Sequence, residues 1–272
     1  MKKILASIIE KYLWHSGLGN IHDTAVLHFI KAEINTSVNP LTKDFDSYFS
    51  QSDEDGIIQR IFERLGINGG TCVELGVGNG IENNTLNLVL NGWKAFWYGG
   101  EDLALPPKFL LPKSLKFVKI WINKKTLNEK IIPELISLGE FELLSLDLDG
   151  NDYHFAKILL EAKIQPKLWV QEYNGNFSPI TNWIQPYADG HTWKQDAYFG
   201  ASLYPFNQLF KDHGYTLVAC NILGINAFFV RNDLLAHFVD VPKDLHDLYR
   251  PSRLFFLKTK QRRNLEILKS LS

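Results

Sequence analysis

The feature that most constrains the fold is a unit repeated between Thr71 and Val230: a short apolar run, a polar or glycine-rich turn, and a stretch with helical spacing. The apolar runs predict strands over 71–76, 94–98, 115–121, 142–148, 167–173, 215–220 and 225–230. The helical stretches predict helices over 83–91, 125–138, 151–162 and 201–213. Strands that alternate with helices form a mostly parallel sheet covered on both faces. Because only a short loop with Gly224 separates the last two runs, they predict a hairpin and one antiparallel strand.

Helical extensions are predicted on both sides of this α/β core. Residues 1–47 form a helical lead-in, and a further helix runs from Asp53 to a stop at Gly66. Residues 241–272 form a basic tail with helical spacing, which is either a solvated terminal helix, an oligomer contact or a patch for an anionic substrate. We therefore divide the chain into an N-terminal extension, a central domain of residues 48–240 and a C-terminal tail.

Charge and cysteine content narrow the class of protein. The 29 Lys and Arg against 30 Asp and Glu give a net charge of −1, so no basic field indicates a nucleic-acid partner. Cys72 and Cys220 lie far apart in the sequence, and we expect both to be reduced. Glu10 and Lys11 interrupt the first apolar stretch, which favours a helix over a signal peptide. No uncharged run approaches the ~18 residues of a membrane span, so we expect a soluble, cytoplasmic protein.

A glycine turn follows the first predicted strand, with glycines at positions 76, 78 and 80. Glycine lets the backbone turn sharply and lets a ligand approach closely. A dinucleotide fingerprint needs its third glycine where Ile81 stands, which disfavours NAD or flavin. Glu74, two residues before Gly76, is instead the arrangement associated with S-adenosylmethionine (SAM), where the acid faces the cationic amino acid end of the cofactor. The alternative is a purely structural turn.

Five segments, taken in order, carry a resemblance to a known family. They are FSQSDEDGIIQRIF, VELGVGNGIENNT, LLSLDLDGNDYH, YFGASL and GINAFFVRNDL. Together they resemble the SAM-dependent methyltransferases of the FkbM-like group, which are often found with bacterial surface polysaccharide genes. The resemblance covers residues 48–235. It implies a class I methyltransferase (Rossmann-like) fold, a seven-stranded sheet with the last hairpin reversed, and a SAM pocket over the carboxyl ends of the central strands.

The resemblance also implies which residues bind the cofactor. Gln51 and Asp55 would help to close over it, and Glu74, Gly76 and Gly78 would lie under its methionine part. For Gln51 and Asp55 the alternative is helix capping.

One departure from the family concerns the cofactor ribose. Relatives usually carry an acid at the end of the second strand, and that position is Gly99 here. Either Glu101 or Asp102 would reach the ribose through a shifted loop, or the cofactor is held more weakly. We favour Glu101, the alternative being that it is an exposed loop acid.

Acidic side chains follow the fourth and fifth predicted strands. Alternation puts Asp147 and Asp149 on the same side, roughly 6.5 to 7 Å apart along the strand. Asp149, Glu172 and Asn174 at neighbouring strand ends would form an all-oxygen site for Mg²⁺ or Mn²⁺. By resemblance to metal-dependent sugar and catechol O-methyltransferases, Asp147 would contact the cofactor amino group and Asp149 the metal. Alternatively, Asp149 caps the next helix and Glu172 pairs with a basic residue.

Two histidines are candidate general bases for a hydroxyl acceptor. His154 follows the acid strand, and His191 lies in an aperiodic stretch, residues 174–199, that we interpret as a lid loop. Asp149 joins them as a catalytic candidate through a metal contact. Trp183, Trp193 and Tyr198 in the loop would either stack on a sugar ring or anchor the loop.

These features predict an enzyme, a SAM-dependent O-methyltransferase with assistance from a metal. The expected acceptor is a carbohydrate hydroxyl of a nucleotide-linked sugar or of a capsular or surface polysaccharide unit, and a homo-oligomer is a possible assembly. The alternative is a SAM-binding, non-catalytic partner or scaffold of a glycan assembly enzyme, which the glycine at position 99 favours. An NAD-dependent oxidoreductase would need a glycine in place of Ile81.

Overall fold

The computed structural model describes residues 18–106, 112–194, 196–253 and 261–270. Its centre is one seven-stranded sheet in the order β3-β2-β1-β4-β5-β7-β6. The strands are β1 Thr71–Leu75, β2 Lys94–Gly99, β3 Leu115–Lys119, β4 Leu143–Leu146, β5 Leu168–Glu172, β6 Tyr215–Cys220 and β7 Asn226–Arg231. Six run in one direction, and β7 lies antiparallel between β5 and β6. The predicted strands and the reversed hairpin are confirmed, and the fold is the Rossmann-like fold of class I methyltransferases.

Helices surround the sheet and extend from it. They are α1 Leu18–Thr36, α2 Glu54–Leu65, α3 Leu86–Leu90, α4 Lys124–Thr126, α5 Ile132–Leu138, α6 Asp152–Glu161, α7 Leu203–Asp212, α8 Leu245–Leu248 and α9 Gln261–Ser270, with 3₁₀ turns at Pro40–Thr42 and Asn232–Phe238. The predicted helices of the central domain are confirmed with shifted ends. A helical lead-in is confirmed only from Leu18, because residues 1–17 lie outside the described part of the chain.

Two helix boundaries differ from the prediction for local reasons. The helix predicted over 125–138 contains a π-helical segment, Leu127–Ile131, just before Pro133. Proline has no N–H to donate to the preceding turn, so the regular hydrogen-bond pattern cannot continue through it. The helix predicted from residue 83 begins only at Leu86, because the preceding turn is used to bind Glu74, as described below.

The core lies on both faces of the sheet, as a parallel sheet requires. Strands β4 and β5 are buried along their whole length. Helix α2 buries one of its faces, which includes Ile57, Ile61 and Phe62. The helix ends at Gly66, which has the left-handed backbone conformation. Both cysteines are free and buried, so the expectation that they do not form a disulfide is confirmed. None of the described helices is long and apolar enough to cross a membrane.

Because β1, β2, β4 and β5 are parallel, the turns that follow them meet at one edge of the sheet. The turn after β1 touches the turn after β4: a Cβ added to Gly76 would lie 1.6 Å from the carbonyl oxygen of Asp147. Gly76 also has a φ of 98°, which residues with a side chain rarely adopt. Only glycine therefore fits at the point where the two turns cross.

We predict that Gly76→Ala lowers the free energy of unfolding by more than about 3 kcal/mol, because a left-handed backbone cost adds to a clash with backbone. Gly78→Ala is the matched control. Its φ is also positive, at 50°, but an added Cβ meets nothing within 4 Å, so only the backbone cost of about 1–2 kcal/mol applies. Urea denaturation measures both, and equal losses would contradict the assignment of Gly76 to the crossing point.

Candidate active site

A cleft with two adjoining lobes opens at the carboxyl edge of the sheet. The first, which we call the acidic lobe, has a volume of about 310 Å³. The second, the aromatic lobe, has a volume of about 330 Å³. Residues that line both lobes make the cleft continuous; they are Gly76, Gly78, Glu101, Asp147, Asp149 and Trp193.

Acidic residues predominate in the lining of the acidic lobe. Its lining includes seven carboxylates, those of Glu54, Glu74, Glu82, Glu101, Asp147, Asp149 and Glu172. None of the described residues that line it is Lys, Arg or His. The aromatic lobe differs: its walls include Trp121, Phe155, Tyr187, His191 and Trp193. The cleft therefore offers an attractive field for a cation next to flat apolar surfaces.

The glycine turn forms the floor of the cleft. Gly76 donates its N–H to the carbonyl oxygen of Tyr98 at 2.8 Å, which ties the turn to β2. Gly78 faces open space on the side where a Cβ would stand. The backbone at Gly78 is therefore open to the cleft, and the predicted contact of Gly76 and Gly78 with a cofactor stays a prediction.

Glu74 lines the cleft, but its carboxylate is occupied by its own chain. It accepts hydrogen bonds from the backbone N–H of Asn84 at 2.9 Å, from that of Thr85 at 3.0 Å, and from the side chains of Asn83 and Thr85. Glu74 therefore holds the turn before α3, with three of these bonds on Oε2 and one on Oε1. Its contact with a cofactor ammonium group stays a prediction. Burial raises the pKa of Glu74, while these hydrogen bonds lower it.

The block before α2 has two different roles. Gln51 is exposed and lines the acidic lobe, as predicted. Asp55 does not line either lobe; its carboxylate accepts the backbone N–H groups of Tyr48, Phe49 and Ser50 at 2.6–3.2 Å. The structure therefore places Asp55 outside the cleft. The N–H groups that it accepts precede Asp53, the N-cap residue of α2, so Asp55 holds the loop before the helix and does not cap it.

Glu54, which sequence reasoning missed, connects the same block to the β6–β7 hairpin. It is buried, lines the acidic lobe, and accepts a hydrogen bond from Asn221 at 2.8 Å. Asp53 accepts the backbone N–H of Ile222 at 3.1 Å. The acidic pair at the start of α2 was visible in the sequence, but its partners 167 and 169 residues away were not.

Three carboxylates form a cluster at the junction of the two lobes. Single oxygens of Asp147, Asp149 and Glu172 lie within 4.8 Å of one another. Glu172 is buried, and its Oε2 accepts no hydrogen bond from a nitrogen or hydroxyl donor among the described residues. Its carboxyl group pairs with that of Asp147 when one of the two carries a proton. Burial first, and then the neighbouring acids, raise the pKa values of Asp147 and Glu172 well above their usual range. Close acidic groups of this kind are costly unless a proton or a cation separates them.

Local backbone geometry aims this cluster into the cleft. Asp149 has a φ of 55°, a conformation that costs energy for a residue with a side chain and is often found at functional sites. The buried carboxylate of Asp152 holds the turn by accepting the N–H groups of Leu148 at 2.7 Å and Gly150 at 2.8 Å. Burial raises the pKa of Asp152 to about 7. The alternative role of Asp149 as a helix cap is not observed, because the N-cap residue of α6 is Asn151 and the helix has no side-chain cap.

Asn174, predicted as the third metal ligand, uses its side-chain amide in contacts within the loop. Its amide nitrogen donates to the carbonyl oxygens of Ala197 and Phe199, both at 2.9 Å, and its oxygen accepts from Asn176. Both ends of the amide are therefore used to hold the loop of residues 174–199. The third carboxylate of the cluster comes from Asp147.

The acids after β2 separate into two roles. Glu101 lines both lobes, whereas Asp102 forms an ion pair with Lys119 at 2.7 Å. A Cβ added to Gly99 would lie 2.9 Å from a methyl group of Val77, so the position usual for a ribose-binding acid is crowded here. Of the two candidate acids, Glu101 is the one at the cleft.

The two candidate bases, His154 and His191, lie in different surroundings. His154 lines neither lobe; its Nε2 lies 2.8 Å from the carbonyl oxygen of Gln185 and ties the loop to α6. His191 lines the aromatic lobe, and its ring lies against the backbone of Gly150, next to Asp149. The expectation of His154 as a base is therefore corrected, because its ring nitrogen is used in a loop contact.

Among the loop aromatics, Trp193 lines both lobes, and its indole N–H donates to the carbonyl oxygen of Asp196 at 2.7 Å. Trp183 instead stacks on Phe177, with ring centroids 4.6 Å apart, and so anchors the loop. Tyr198 contacts the edge of Trp183 and lines neither lobe. Trp121, which lines the aromatic lobe, was missed although it is the last residue of the strand predicted over 115–121.

No protein-family model matches the sequence, and no curated protein matches it. The solved structures that match the chain do so with low structural similarity and low sequence identity. One is the 1,6-didemethyltoxoflavin-N1-methyltransferase of Burkholderia thailandensis with S-adenosylhomocysteine (SAH): TM-score 0.38, 11% identity, 65% of this chain and 76% of that chain. Another is the N-terminal domain of EvdMO1 with SAH and D-fucose: TM-score 0.41, 13% identity, 66% of this chain and 83% of that chain. TM-scores below 0.5 are too low to support a functional assignment, so the chain is similar to these proteins without being assigned to their family.

Proposed function

We propose that the protein is a SAM-dependent O-methyltransferase that acts on a carbohydrate hydroxyl. The observation that carries this proposal is the glycine turn that opens onto a cleft with seven carboxylates and, among the described lining residues, no basic side chain. SAM is a sulfonium with an ammonium group, so its charge is complementary to this field. The adjoining aromatic lobe offers flat surfaces of the kind on which a purine base stacks.

Different residues of the cleft would bind different parts of the cofactor. Gly76 and Gly78 would carry its methionine part, and Glu101 would accept from its ribose hydroxyls. Trp121, whose indole packs on Gly100, would cover the adenine in the aromatic lobe. Gln51 would close the acidic lobe from the side of α2.

We predict that Trp121→Ala raises the Kd for SAH roughly 5- to 100-fold, as expected when one base loses its stacking partner. Trp121 is 51% exposed, so its removal should leave the fold intact. Tyr198→Ala is the matched control, since Tyr198 is 54% exposed and lies outside both lobes. Calorimetric titration of SAH measures both affinities, and an unchanged Kd for Trp121→Ala would remove the adenine from the aromatic lobe.

The carboxylate cluster fits a hard divalent cation. Asp147, Asp149 and Glu172 supply only oxygen atoms, and Mg²⁺ or Mn²⁺ prefers such ligands. The buried Oε2 of Glu172, which accepts no hydrogen bond from a nitrogen or hydroxyl donor among the described residues, is a second feature that a cation would satisfy. When bound, the ion would supply a Lewis acid that lowers the pKa of an acceptor hydroxyl. The same three residues would hold it.

His191 would take the proton in the transfer step. The acceptor oxygen forms a bond to the methyl carbon while the bond between that carbon and sulfur breaks, and the electron pair stays on sulfur in neutral SAH. The hydroxyl proton passes to Nε2 of His191, which later releases it to water. Removing the proton makes a weak nucleophile competent, and most of the remaining barrier is lowered by positioning.

The proposed acceptor is a nucleotide-linked sugar or a unit of a capsular or surface polysaccharide, in keeping with the resemblance to the FkbM-like group. Trp193, which is 37% exposed and lines both lobes, would present its face to a sugar ring. The experiment is transfer of an isotope-labelled methyl group from SAM to a panel of sugar nucleotides and oligosaccharides. We expect label in an acceptor, and loss of it with Asp149→Ala or EDTA.

A second candidate is a SAM-binding partner of a glycan assembly enzyme without transfer activity. Two observations favour it: the ribose-acid position is Gly99, and the carboxylate of Glu74 is occupied by the chain itself. Binding of SAM without label transfer to any member of the panel would support this candidate over the enzyme. If label transfer persists in Asp149→Ala and in EDTA, methyl transfer stands and the metal does not.

A further inference from the structure

We propose that Gln185 is a positioning residue for His191: its side-chain oxygen holds the ring in the tautomer protonated on Nδ1 and so leaves Nε2 free to accept a proton. The catalytic meaning of this inference rests on the proposed function. The tautomer is argued from the same role, but it can be measured by itself, without SAM or acceptor.

Gln185 is held rigidly in an otherwise aperiodic loop. It is 2% exposed. Its backbone N–H donates to the carbonyl oxygen of Gly200 at 2.9 Å, and its own carbonyl oxygen lies 2.8 Å from Nε2 of His154. With the peptide bound on both sides, the side-chain amide reaches His191, where its terminal nitrogen is placed 3.0 Å from Nδ1.

The imidazole ring of His191 packs directly against the backbone of Gly150. A Cβ added to Gly150 would lie 2.2 Å from Cδ2 and 2.7 Å from Nε2 of the ring. A side chain at position 150 would therefore displace the imidazole. The glycine sets how near Nε2 comes to the carboxylate cluster, while Gln185 contacts the opposite nitrogen.

Hydrogen-bond accounting leaves two buried atoms without partners among the described residues: Nε2 of His191 and Oε1 of Gln185. The oxygen and nitrogen of a glutamine amide have nearly the same shape, so their placement follows from chemistry rather than from position. If the amide nitrogen faced Nδ1, the neutral ring would carry its proton on Nε2, which then could not accept one. If the oxygen faces Nδ1, that proton is on Nδ1 and Nε2 keeps its lone pair.

The protonated form of His191 favours the same orientation of the Gln185 amide, with its oxygen facing Nδ1. After proton transfer the imidazolium has N–H groups on both nitrogens, and Nδ1–H needs an acceptor. An amide oxygen facing Nδ1 serves the neutral and the charged ring without moving. An amide nitrogen facing Nδ1 would have to turn over in every cycle, inside a buried pocket.

The test measures ¹⁵N chemical shifts of the histidine ring nitrogens at pH 8, in the full chain without ligands. We expect wild-type His191 to carry its proton on Nδ1. Gln185→Glu should keep that tautomer, because a carboxylate only accepts, and should retain most of the turnover. Gln185→Leu should lose the preference for Nδ1–H and lower turnover roughly 10- to 100-fold, as loss of an orienting partner typically does.

His154 is the internal control, since it contacts the backbone of Gln185 and not its side chain. Unchanged His154 signals and an unchanged Kd for SAH show that a variant keeps its fold. A wild-type His191 protonated on Nε2, or a tautomer that Gln185→Leu does not alter, would overturn the inference. Failure of methyl transfer with the expected tautomer would remove the proposed function and leave the positioning of His191 standing.

Discussion

Replacing His191 with glutamine is expected to lower turnover about 10²- to 10⁴-fold, the usual contribution of a positioned general base. Glutamine keeps a polar side chain of similar reach but cannot accept the hydroxyl proton. Affinity for SAH should not change, because the loss belongs to the proton transfer and not to the cofactor. Label transfer from SAM measures the first quantity and calorimetry the second.

Variants of two other histidines serve as controls. They separate the loss of a general base at His191 from the effect of replacing any histidine. His213 lies at the end of α7, where its Nδ1 contacts the carbonyl oxygen of Leu209 at 2.8 Å, so His213→Gln should keep the wild-type rate. His154→Gln removes a loop contact and no base, so its loss should be smaller than that of His191→Gln. A His154 variant with the larger loss would reverse the assignment of the base.

Glu172→Gln is expected to lower metal-dependent turnover while raising the free energy of unfolding at pH 8. Removing one carboxylate from the cluster weakens the binding of Mn²⁺ and lowers turnover by at least about tenfold. The same change removes a buried acid whose ionisation is opposed by burial and by the neighbouring acids, among them Asp147 and Asp149. Functional sites often hold such strain at the expense of stability.

The pH dependence of this gain has a defined sign. The pKa of Glu172 is raised in the folded state, so the folded protein binds more protons than the unfolded chain above the ordinary pKa of about 4.3. Wild-type stability therefore falls as the pH rises from that value towards the raised pKa. The stabilisation by Glu172→Gln should be largest at pH 8 and disappear near pH 4. Thermal unfolding across this range, with EDTA present, measures it.

Glu142→Gln is the matched control for this prediction. Glu142 lies outside the cleft, where its carboxylate accepts the N–H of Thr71 at 2.6 Å and pairs with Lys167 at 3.2 Å. Its replacement should not stabilise the protein at pH 8. Two results would show that the carboxylate cluster is not the cation site. One is that Glu172→Gln, like Glu142→Gln, fails to stabilise the protein at pH 8. The other is that Mn²⁺ raises the melting temperature of Glu172→Gln as much as that of the wild type.

The sheet could be predicted from the sequence because its signals are local. Apolar runs of strand length, glycines at 76, 78 and 80, and a short loop at Gly224 each act within a few residues. The parallel arrangement then places every strand end at one edge, so Asp147, Asp149 and Glu172 could be expected to lie near one another.

The roles of individual side chains were harder to predict because they depend on hydrogen bonds between distant segments. Glu74 and Asn174 have the right residue types in the right places, yet nearby backbone groups use their polar atoms. His154 and His191 differ only in the path of the loop between them. Gln185, which contacts both, has no sequence signal beyond its place in that loop.

The central claim is that this cleft binds SAM, and calorimetric titration of the purified protein with SAM tests it most directly. NAD is titrated alongside it as the ligand of a related glycine turn. We expect heat of binding with SAM, weakened in Trp121→Ala, and none with NAD. A protein that gives no heat with SAM, or that binds NAD in its place, would contradict the account.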